Sequence, residues 1–504
     1  MNSWRWVAVV VIALGLGVGT ESKAEPWVTG GLGSCDTGSY GNPNARGANV
    51  RGIALDCYRQ PSGDTSVAVD FSKTPFEAYQ LVSDAWQPAP IAYGRNGRFT
   101  LDVPEGRTYA IRLGSRWFVS TARSIDLSVF HTGRPDAEPF AAGESPAMSL
   151  SLSNLEPWTP YDQLVLSSDT TPDTLQIVPA WEVFDGSTTM SDPFPSYWSI
   201  SGGNDALDAA KGDRAVLMQL HSITGDNVDP LSTACVRALD FSPLSLTAGQ
   251  TTPLEGAMTA PAQKAFTVDL KLSQISALAP QVHPAAVPDY AFIDVVAVPG
   301  SLDEGWIGYL GELLSVQALD PTVDLSGTFF YVNPRASWSE LAGPVAAFHV
   351  PMAVGATRPA MVYGAWQRLE PASSASGKAF TVTMTPPASF RIDGVDGHSN
   401  ATLTSLTPLL TWAPPATGAA NGYWIDVYRL YASGTRTVRR TVASIMTAQT
   451  QLRIPPGIFA SGQNYAVVVN AANMGPPRDF RTKPFRDYST AELTPAISGK
   501  LTAP

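Results

Sequence analysis

Five histidines, three cysteines, thirteen tryptophans and a few acidic loops are where this chain of 504 residues could do chemistry. His131, His221, His283, His349 and His398 stand apart in sequence. With no His-Glu-x-x-His and no paired cysteines, the spacing of a zinc site is missing. Asp205, Asp208 and Asp213 lie in a Gly-containing segment, and Asp393 and Asp396 bracket Gly394. Carboxylates on flexible loops are what calcium takes, so these five are candidate ligands for calcium, the one cofactor that the sequence suggests. Neither group has EF-hand spacing, and solvated turns are the simpler expectation. There is no Gly-x-Ser-x-Gly elbow, no Ser/His/Asp set in a known order and no phosphate-cradling loop. Paired glycosidase carboxylates leave no local signature. The sequence therefore names no catalytic residue.

Trp158, Trp181, Trp198, Trp306, Trp338 and Trp366 lie among Pro and Gly turns, where exposed rings could stack on a sugar. The competing expectation is burial, because large aromatics dominate sandwich cores. Cys35 and Cys57 are close enough that a disulfide between them would constrain the unfolded chain by roughly 3 kcal/mol in an oxidising compartment. Cys235, between Ala234 and Val236, is left over and is expected to be buried and inert.

The elements that must position these residues are set by composition. Charged residues are 15% of the chain, against roughly 25% in an average soluble protein, while Gly and Pro each number 42. That mixture disfavours coiled coils and long amphipathic helices, and 44% apolar residues are too many for a disordered chain. The formal net charge is −11 and no basic cluster occurs, which excludes nucleic acid as a partner. The expectation is an all-β chain of tandem sandwiches with very little helix.

Arg5 and the apolar run Val7 to Gly19 read as a secretory signal peptide over 1–24, with Ser22-Lys23-Ala24 as the cleavage site. The run is too short to span a membrane comfortably. Leu32-Gly33-Ser34-Cys35 has the form of a lipobox but does not abut the apolar run, so lipid anchoring at Cys35 is disfavoured. The mature chain is expected outside the cytoplasm, secreted or bound to the envelope.

Residues 25–47 read as an irregular lead-in. Phe99, Leu101 and Val103 alternate before Pro104-Glu105-Gly106, and Tyr109, Ile111 and Leu113 alternate after it, which predicts a β-hairpin. The sequence Gly97 to Gly106 followed by Tyr109 resembles the late hairpin of the carboxypeptidase regulatory-like, or transthyretin-like, sandwich over 48–135. That resemblance implies an accessory domain with no active site. From 136 to 390, short runs such as Leu164 to Leu166, Ala215 to Leu220, Ala291 to Val296 and Phe329 to Val332 read as strands. Lys264 to Val268 recurs as Lys378 to Val382, which predicts two β-domains, 136–261 and 262–388.

In the last third, Pro408 to Pro415 precedes Tyr423 to Leu430, and Gly462 to Ala471 follows Leu452 to Gly457. This resembles a fibronectin type III domain over 389–504. The resemblance makes Trp412 and Tyr465 core residues, the latter opening the sixth strand. The long link through Pro476-Pro477 and Lys483-Pro484 departs from the pattern and puts the seventh strand in doubt. No Arg-Gly-Asp tripeptide occurs, so integrin binding has no support.

The expected function is binding, adhesion or scaffolding outside the cytoplasm, with an extracellular protein or glycan as partner. One alternative is an exported hydrolase with its catalytic unit within 136–390. The other is a carbohydrate-binding accessory protein using the middle tryptophans.

Overall fold

The computed structural model describes residues 35, 40–42, 44–60, 63–141, 144–179, 183–200, 205–300, 311–335, 337–355, 357–474, 479–485 and 492–504. The signal peptide, Trp181 and Trp306 lie outside these residues. The chain is all-β and multi-sandwich, 53% strand with about 4% helix. The helices Leu272–Ser276, Ala279–Val282 and Ala372–Ala375 are single turns. No helix among the described residues is long and apolar enough to cross a membrane.

The four β units are not beads on a string. One continuous sheet of 20 strands runs through all of them, in the spatial order second, third, C-terminal, N-terminal. Its far edge is Ser196–Ser199. The second unit joins the third where Thr233 and Ala234 pair with Ser315 and Leu314. The third joins the C-terminal unit where Gln367 and Arg368 pair with Leu493 and Glu492. The C-terminal unit joins the N-terminal one through the parallel pairing of Ser444 to Thr447 with Arg116 to Val119. Each join covers strand edges that would otherwise expose unpaired N–H and C=O groups.

The cores follow the same logic. One cluster takes Met218 and Leu220 from the second unit, Phe266, Ile293 and Trp366 from the third, and Ala466 and Val468 from the C-terminal unit. A boundary at 262 therefore separates strands but not packing. The repeated Lys-Ala-Phe-Thr-Val segments do not occupy equivalent places in two domains. The first lies in strand Gln263–Leu270, whereas Phe380 of the second forms an isolated bridge to Leu270 in the same unit. Lys271 N donates to Phe380 O at 3.0 Å.

One local expectation is corrected. The runs at 99–103 and 109–113 do not form a hairpin. Arg98–Leu101 pairs with Val50–Ile53 and Ile91–Tyr93 in one sheet, while Tyr109–Leu113 pairs with Glu77–Val82 and Arg116–Ser120 in the other. Phe99, Leu101, Val103, Tyr109 and Ile111 all face one core from opposite sides. Alternation records the buried face of a strand, not its neighbour. Gly343 and Pro344 lie inside the strand Ser339–Met352, opposite Asp294 and Ile293.

The C-terminal unit sets Val395–Asp396, Ala388–Ile392, Leu409–Ala413 and Gln451–Arg453 in one sheet. Its other sheet is Arg436–Thr447, Gly422–Ser433, Asn464–Asn473 and Glu492–Ile497. The strand in doubt, Glu492–Ile497, is thus formed. Trp412 is buried edge-on against Tyr423 at 5.1 Å, and Tyr465 OH accepts the Ala460 N–H at 2.8 Å. The long link before the last strand has a job of its own. Phe480 and Phe485 are buried among Phe99, Tyr109 and Phe118 of the N-terminal unit. Asp126 N donates to Thr482 O at 2.7 Å and Ser120 Oγ to Arg481 O at 2.9 Å.

The N-terminal and second units also meet directly. Arg134 N donates to Thr170 O at 2.9 Å, and Arg134 grips the buried Asp213 through Nε at 3.0 Å and Nη2 at 2.8 Å. Arg59 Nη1 reaches Pro299 O of the third unit at 2.8 Å.

Candidate functional site

The second unit holds several of its aromatic rings out of the core near the free end of the long sheet. Strand Thr174–Val178 pairs with Ser196–Ser199 so that Gln176 faces Trp198 and Val178 faces Ser196. This register brings Pro179, just past one strand, beside the approach to the other, which carries Phe194. An Asx turn, Phe194 N to Asp192 Oδ1 at 2.9 Å, fixes that approach. Between Trp158 and the loop after Pro179 lies a cleft of about 490 Å3, lined by Trp158, Pro160, Asp162, Pro179, Val183, Phe184 and Asp185. Trp158 N donates to Ser187 O at 2.9 Å and Gly186 N to Trp158 O at 2.8 Å, which ties the loop to the cleft floor.

Exposure decides the reading of this end. Phe184 is 78% exposed, Phe194 72%, Trp198 52% and Tyr161 48%. Phe184 lines the cleft, Tyr161 lies between its lining residues Pro160 and Asp162, and Phe194 and Trp198 stand on the edge strand Ser196–Ser199 and its approach. Scattered exposed apolar residues are ordinary, but several large exposed rings in one region mark an interaction surface. Beside Trp198, Gln176 Nε2 donates to Gln163 Oε1 at 2.9 Å on the same sheet face, so amide groups border the indole.

Behind the cleft, Asp162 is buried and accepts from His221 Nδ1 at 2.9 Å, Gln219 Nε2 at 2.9 Å, Thr159 Oγ1 at 2.5 Å and Ser222 N at 3.1 Å. Burial pushes the Asp162 carboxyl up, but the hydrogen bonds from His221, Thr159, Ser222 and Gln219 outweigh it and hold the group below its ordinary range. The hydrogen bond to Asp162 pushes the His221 imidazole up, against a smaller effect of burial. The pair resembles the orienting half of a hydrolytic triad. The nearest hydroxyls, however, bond to Asp162 and to each other: Thr159 Oγ1 and Ser222 Oγ lie 2.9 Å apart.

Each residue singled out from sequence now has a place. Of the tryptophans, Trp158 and Trp366 are buried and Trp338 half-buried, which corrects their candidacy as freely stacking rings; Trp198 is exposed and keeps that candidacy. Trp366 Nε1 donates to Glu492 Oε1 at 2.8 Å, a buried bond between two units. Asp213 is neutralised by Arg134, Asp208 caps the short turn Ala209–Lys211, and the Asp205 N–H donates to Asp173. Asp393 accepts from Leu409 N at 2.8 Å, and Asp396 from Ser399 Oγ at 3.2 Å. These are turn and ion-pair roles, and among the described residues no three His, Cys, Asp or Glu side chains converge as a metal site.

No disulfide joins Cys35 and Cys57 in the structure. Both pack in one small cluster with Ile53 and Leu55, where the Cys35 Sγ lies 3.8 Å from Thr65 O. Cys235 is buried, and burial pushes its thiol far up.

Groups the sequence did not bring together include two acid pairs. Asp173 lies against Asp205, and burial, then the Asp205 charge, pushes it up to about 7. Asp294 and Glu312, on neighbouring strands, are both raised by burial, and the Glu312 charge raises Asp294 further. Each pair is assembled by cross-strand register or loop packing. The histidines are not all solitary either: His283 and His398 meet edge to face at 5.4 Å.

No family model matches the chain, and no curated protein matches it. Among solved structures, Escherichia coli alpha-2-macroglobulin activated by porcine elastase is 9% identical with a TM-score of 0.13, covering 91% of this chain and 42% of its own. A Salmonella alpha-2-macroglobulin mutant is 10% identical with a TM-score of 0.11, covering 84% of this chain and 27% of its own. The chain thus spans under half the length of either, and a likeness at that score carries no argument.

Proposed function

We propose that the chain is exported and acts as a secreted or envelope-associated binding scaffold. The observation that carries this reading is the single sheet shared by four β units, whose edge at Ser196–Ser199 exposes Trp198 and, on its approach, Phe194, with a cleft lined by the exposed Phe184 in the same unit. A sheet paired across every junction resists bending between units, so what is presented at one end is held at a fixed distance and angle from the other. The C-terminal unit is read as fibronectin type III-like, supported by its two facing sheets and by the hydrogen bond from Ala460 N to Tyr465 OH. A transthyretin-like N-terminal unit is supported by its two facing sheets, but the hairpin on which the resemblance was drawn is absent.

For the ligand, a neutral glycan is favoured over a protein. The cleft offers the exposed Phe184 ring and the exposed Asp185 carboxylate, and among the described residues no cationic side chain lines it. A sugar presents both a C–H face for rings and hydroxyls for carboxylates and amides. The test is a glycan array on the full mature chain, beside the double variant Phe184→Ala/Trp198→Ala. Saturable glycan binding that the double variant loses while keeping its melting temperature supports the reading. Binding that survives the double variant, or glycan hydrolysis by the chain, overturns it. Mass spectrometry of the exported protein tests the address, with Glu25 as the expected first residue.

A further inference from the structure

A second cleft, of about 400 Å3, opens where the third and C-terminal units meet. Its lining is His283, Ala285, Val350, Pro351, Met352 and Ala353 from the third unit, with His398, Asn400, Gly499 and Lys500 from the C-terminal unit. Its volume lies within the roughly 300–1,000 Å3 typical of small-molecule sites. Its character is opposite to that of the protein around it: the chain carries −11, yet no carboxylate lines this cleft.

Three hydrogen-bonding groups converge here with capacity to spare. Lys500 Nζ makes one long contact, 3.3 Å to Ala353 O, and has no carboxylate partner among the described residues. Lys211, Lys264, Lys271 and Lys378, by contrast, all sit in ion pairs. Asn400 spends its Oδ1 on Lys500 N at 2.7 Å, which aims the amide and leaves its two N–H donors without a partner among the described residues. His398 donates through Nδ1 to Ile497 O at 2.8 Å, so Nε2 is the nitrogen left over. His283 frames the site without joining it, since Nδ1 accepts Ala285 N–H at 2.9 Å and Nε2 donates to His398 O at 3.0 Å.

The backbone is shaped to bring these groups together. A Cβ on Gly499 would lie 2.4 Å from Ser399 C and O, so only glycine lets the two segments approach and set Asn400 beside Lys500. The opposite wall, Val350 to Ala353, is largely apolar and would lie against the carbon frame of a ligand.

We propose that this junction cleft binds a small organic oxyanion of about monosaccharide size, its carboxylate or phosphate held by Lys500 and Asn400 and one of its hydroxyls donating to His398 Nε2. An ammonium without a carboxylate partner attracts the anion, and the amide and imidazole fix its orientation. The site is separate from the aromatic end of the second unit, so either can fail without the other.

The experiment is calorimetric titration of the full mature chain with three probes: glucuronate, glucose 6-phosphate and glucose. Saturable one-to-one binding of either anion, with none for glucose, is expected, and the tighter anion identifies the headgroup. Lys500→Met removes the charge at similar length and should weaken binding at least tenfold. Asn400→Asp keeps the acceptor for Lys500 N but adds a negative charge and should abolish it. Circular dichroism checks that both variants keep their fold. Absence of saturation with both anions, equal binding of glucose, or unchanged affinity in a folded Lys500→Met overturns the proposal.

Discussion

Gly422→Ala is a one-methyl probe of how the C-terminal unit is fastened to the N-terminal one. Gly422 opens the strand Gly422–Ser433, where its φ is not in the left-handed region, so alanine fits the backbone. In isolation the change would stabilise by about 0.4–1 kcal/mol through a less flexible unfolded chain. The obstacle is Phe480 of the long link, since the new Cβ would lie 2.3 Å from the ring Cγ. Phe480 is buried against Trp424, Met446 and the aromatic core of the N-terminal unit, so it cannot retreat without losing contacts.

Overpacking of this kind costs about 1–3 kcal/mol, and Phe480→Ala alone about 3–5 kcal/mol. In the double variant the ring is gone and only the Cβ of residue 480, 2.7 Å from the new methyl, still has to shift, so Gly422→Ala should cost far less than it does alone. The coupling between the two sites is then on the order of 1–3 kcal/mol. Urea unfolding of the wild type, both singles and the double closes the cycle, with stability read from midpoints at constant m. Additive costs would refute the packing of Phe480 on Gly422, and with it the account of the long link as the clasp between the first and last units.

Three further outcomes follow from the buried polar groups. His221 is raised by Asp162, so its contribution is complete below the ordinary histidine pKa and is lost as pH rises through the higher folded value; Asp162, held low, contributes above its unfolded pKa and fails as pH falls below it. His221→Ala should flatten the loss above pH ~6.5 in a melting-temperature series, and an unchanged slope would contradict the pairing. Asp173 is pushed up to about 7, so folding loses stability as pH climbs from roughly 4 to that value; Asp173→Asn should raise the melting temperature at pH 8 and leave it little changed at pH 4. Glu492 accepts from Trp366 Nε1, Thr383 N, Thr383 Oγ1 and Met384 N at the junction of the last two units, and Glu492→Ala should cost about 3–5 kcal/mol by chemical denaturation, because several buried donors lose their acceptor at once.

What the sequence made legible follows from the range of each signal. Strand existence came through, because a short apolar run bounded by turn residues, as at Leu164 to Leu166 or Ala215 to Leu220, is a local pattern. Strand partnership did not: the alternation at Phe99 and at Tyr109 is the same whether the strands pair or face one another across a core. Tyr465 was readable because its place at the start of a strand defines its role. The two proposed sites were not, since each is assembled across long sequence separations. Lys500 meets Asn400 only because Leu501–Thr502 runs parallel to Ala401–Thr402, and Phe194 meets Pro179 only through the register of Val178 with Ser196. A signal was present in hindsight for the long link. Its two phenylalanines are too apolar for a loop in solvent, which a search for partners of stray aromatics would have flagged.

The two ends of the continuous sheet are treated differently, and the difference bears on function. One end, Ala85–Pro88, carries a proline, which cannot donate to an added strand, and Trp86 Nε1 is tied to Ile454 O at 3.0 Å. That edge is closed by its own chain. The other end, Ser196–Ser199, has no charged residue and only one neighbouring strand, and it holds Trp198 half in solvent. An edge with neither charge nor proline within it is a liability unless something is meant to cover it or the rings beside it. A protein that closes one edge with a proline and a tethered indole has the means to close the other. Exposing Phe184, Phe194 and Trp198 there costs solubility, a cost that the ligand proposed above would offset.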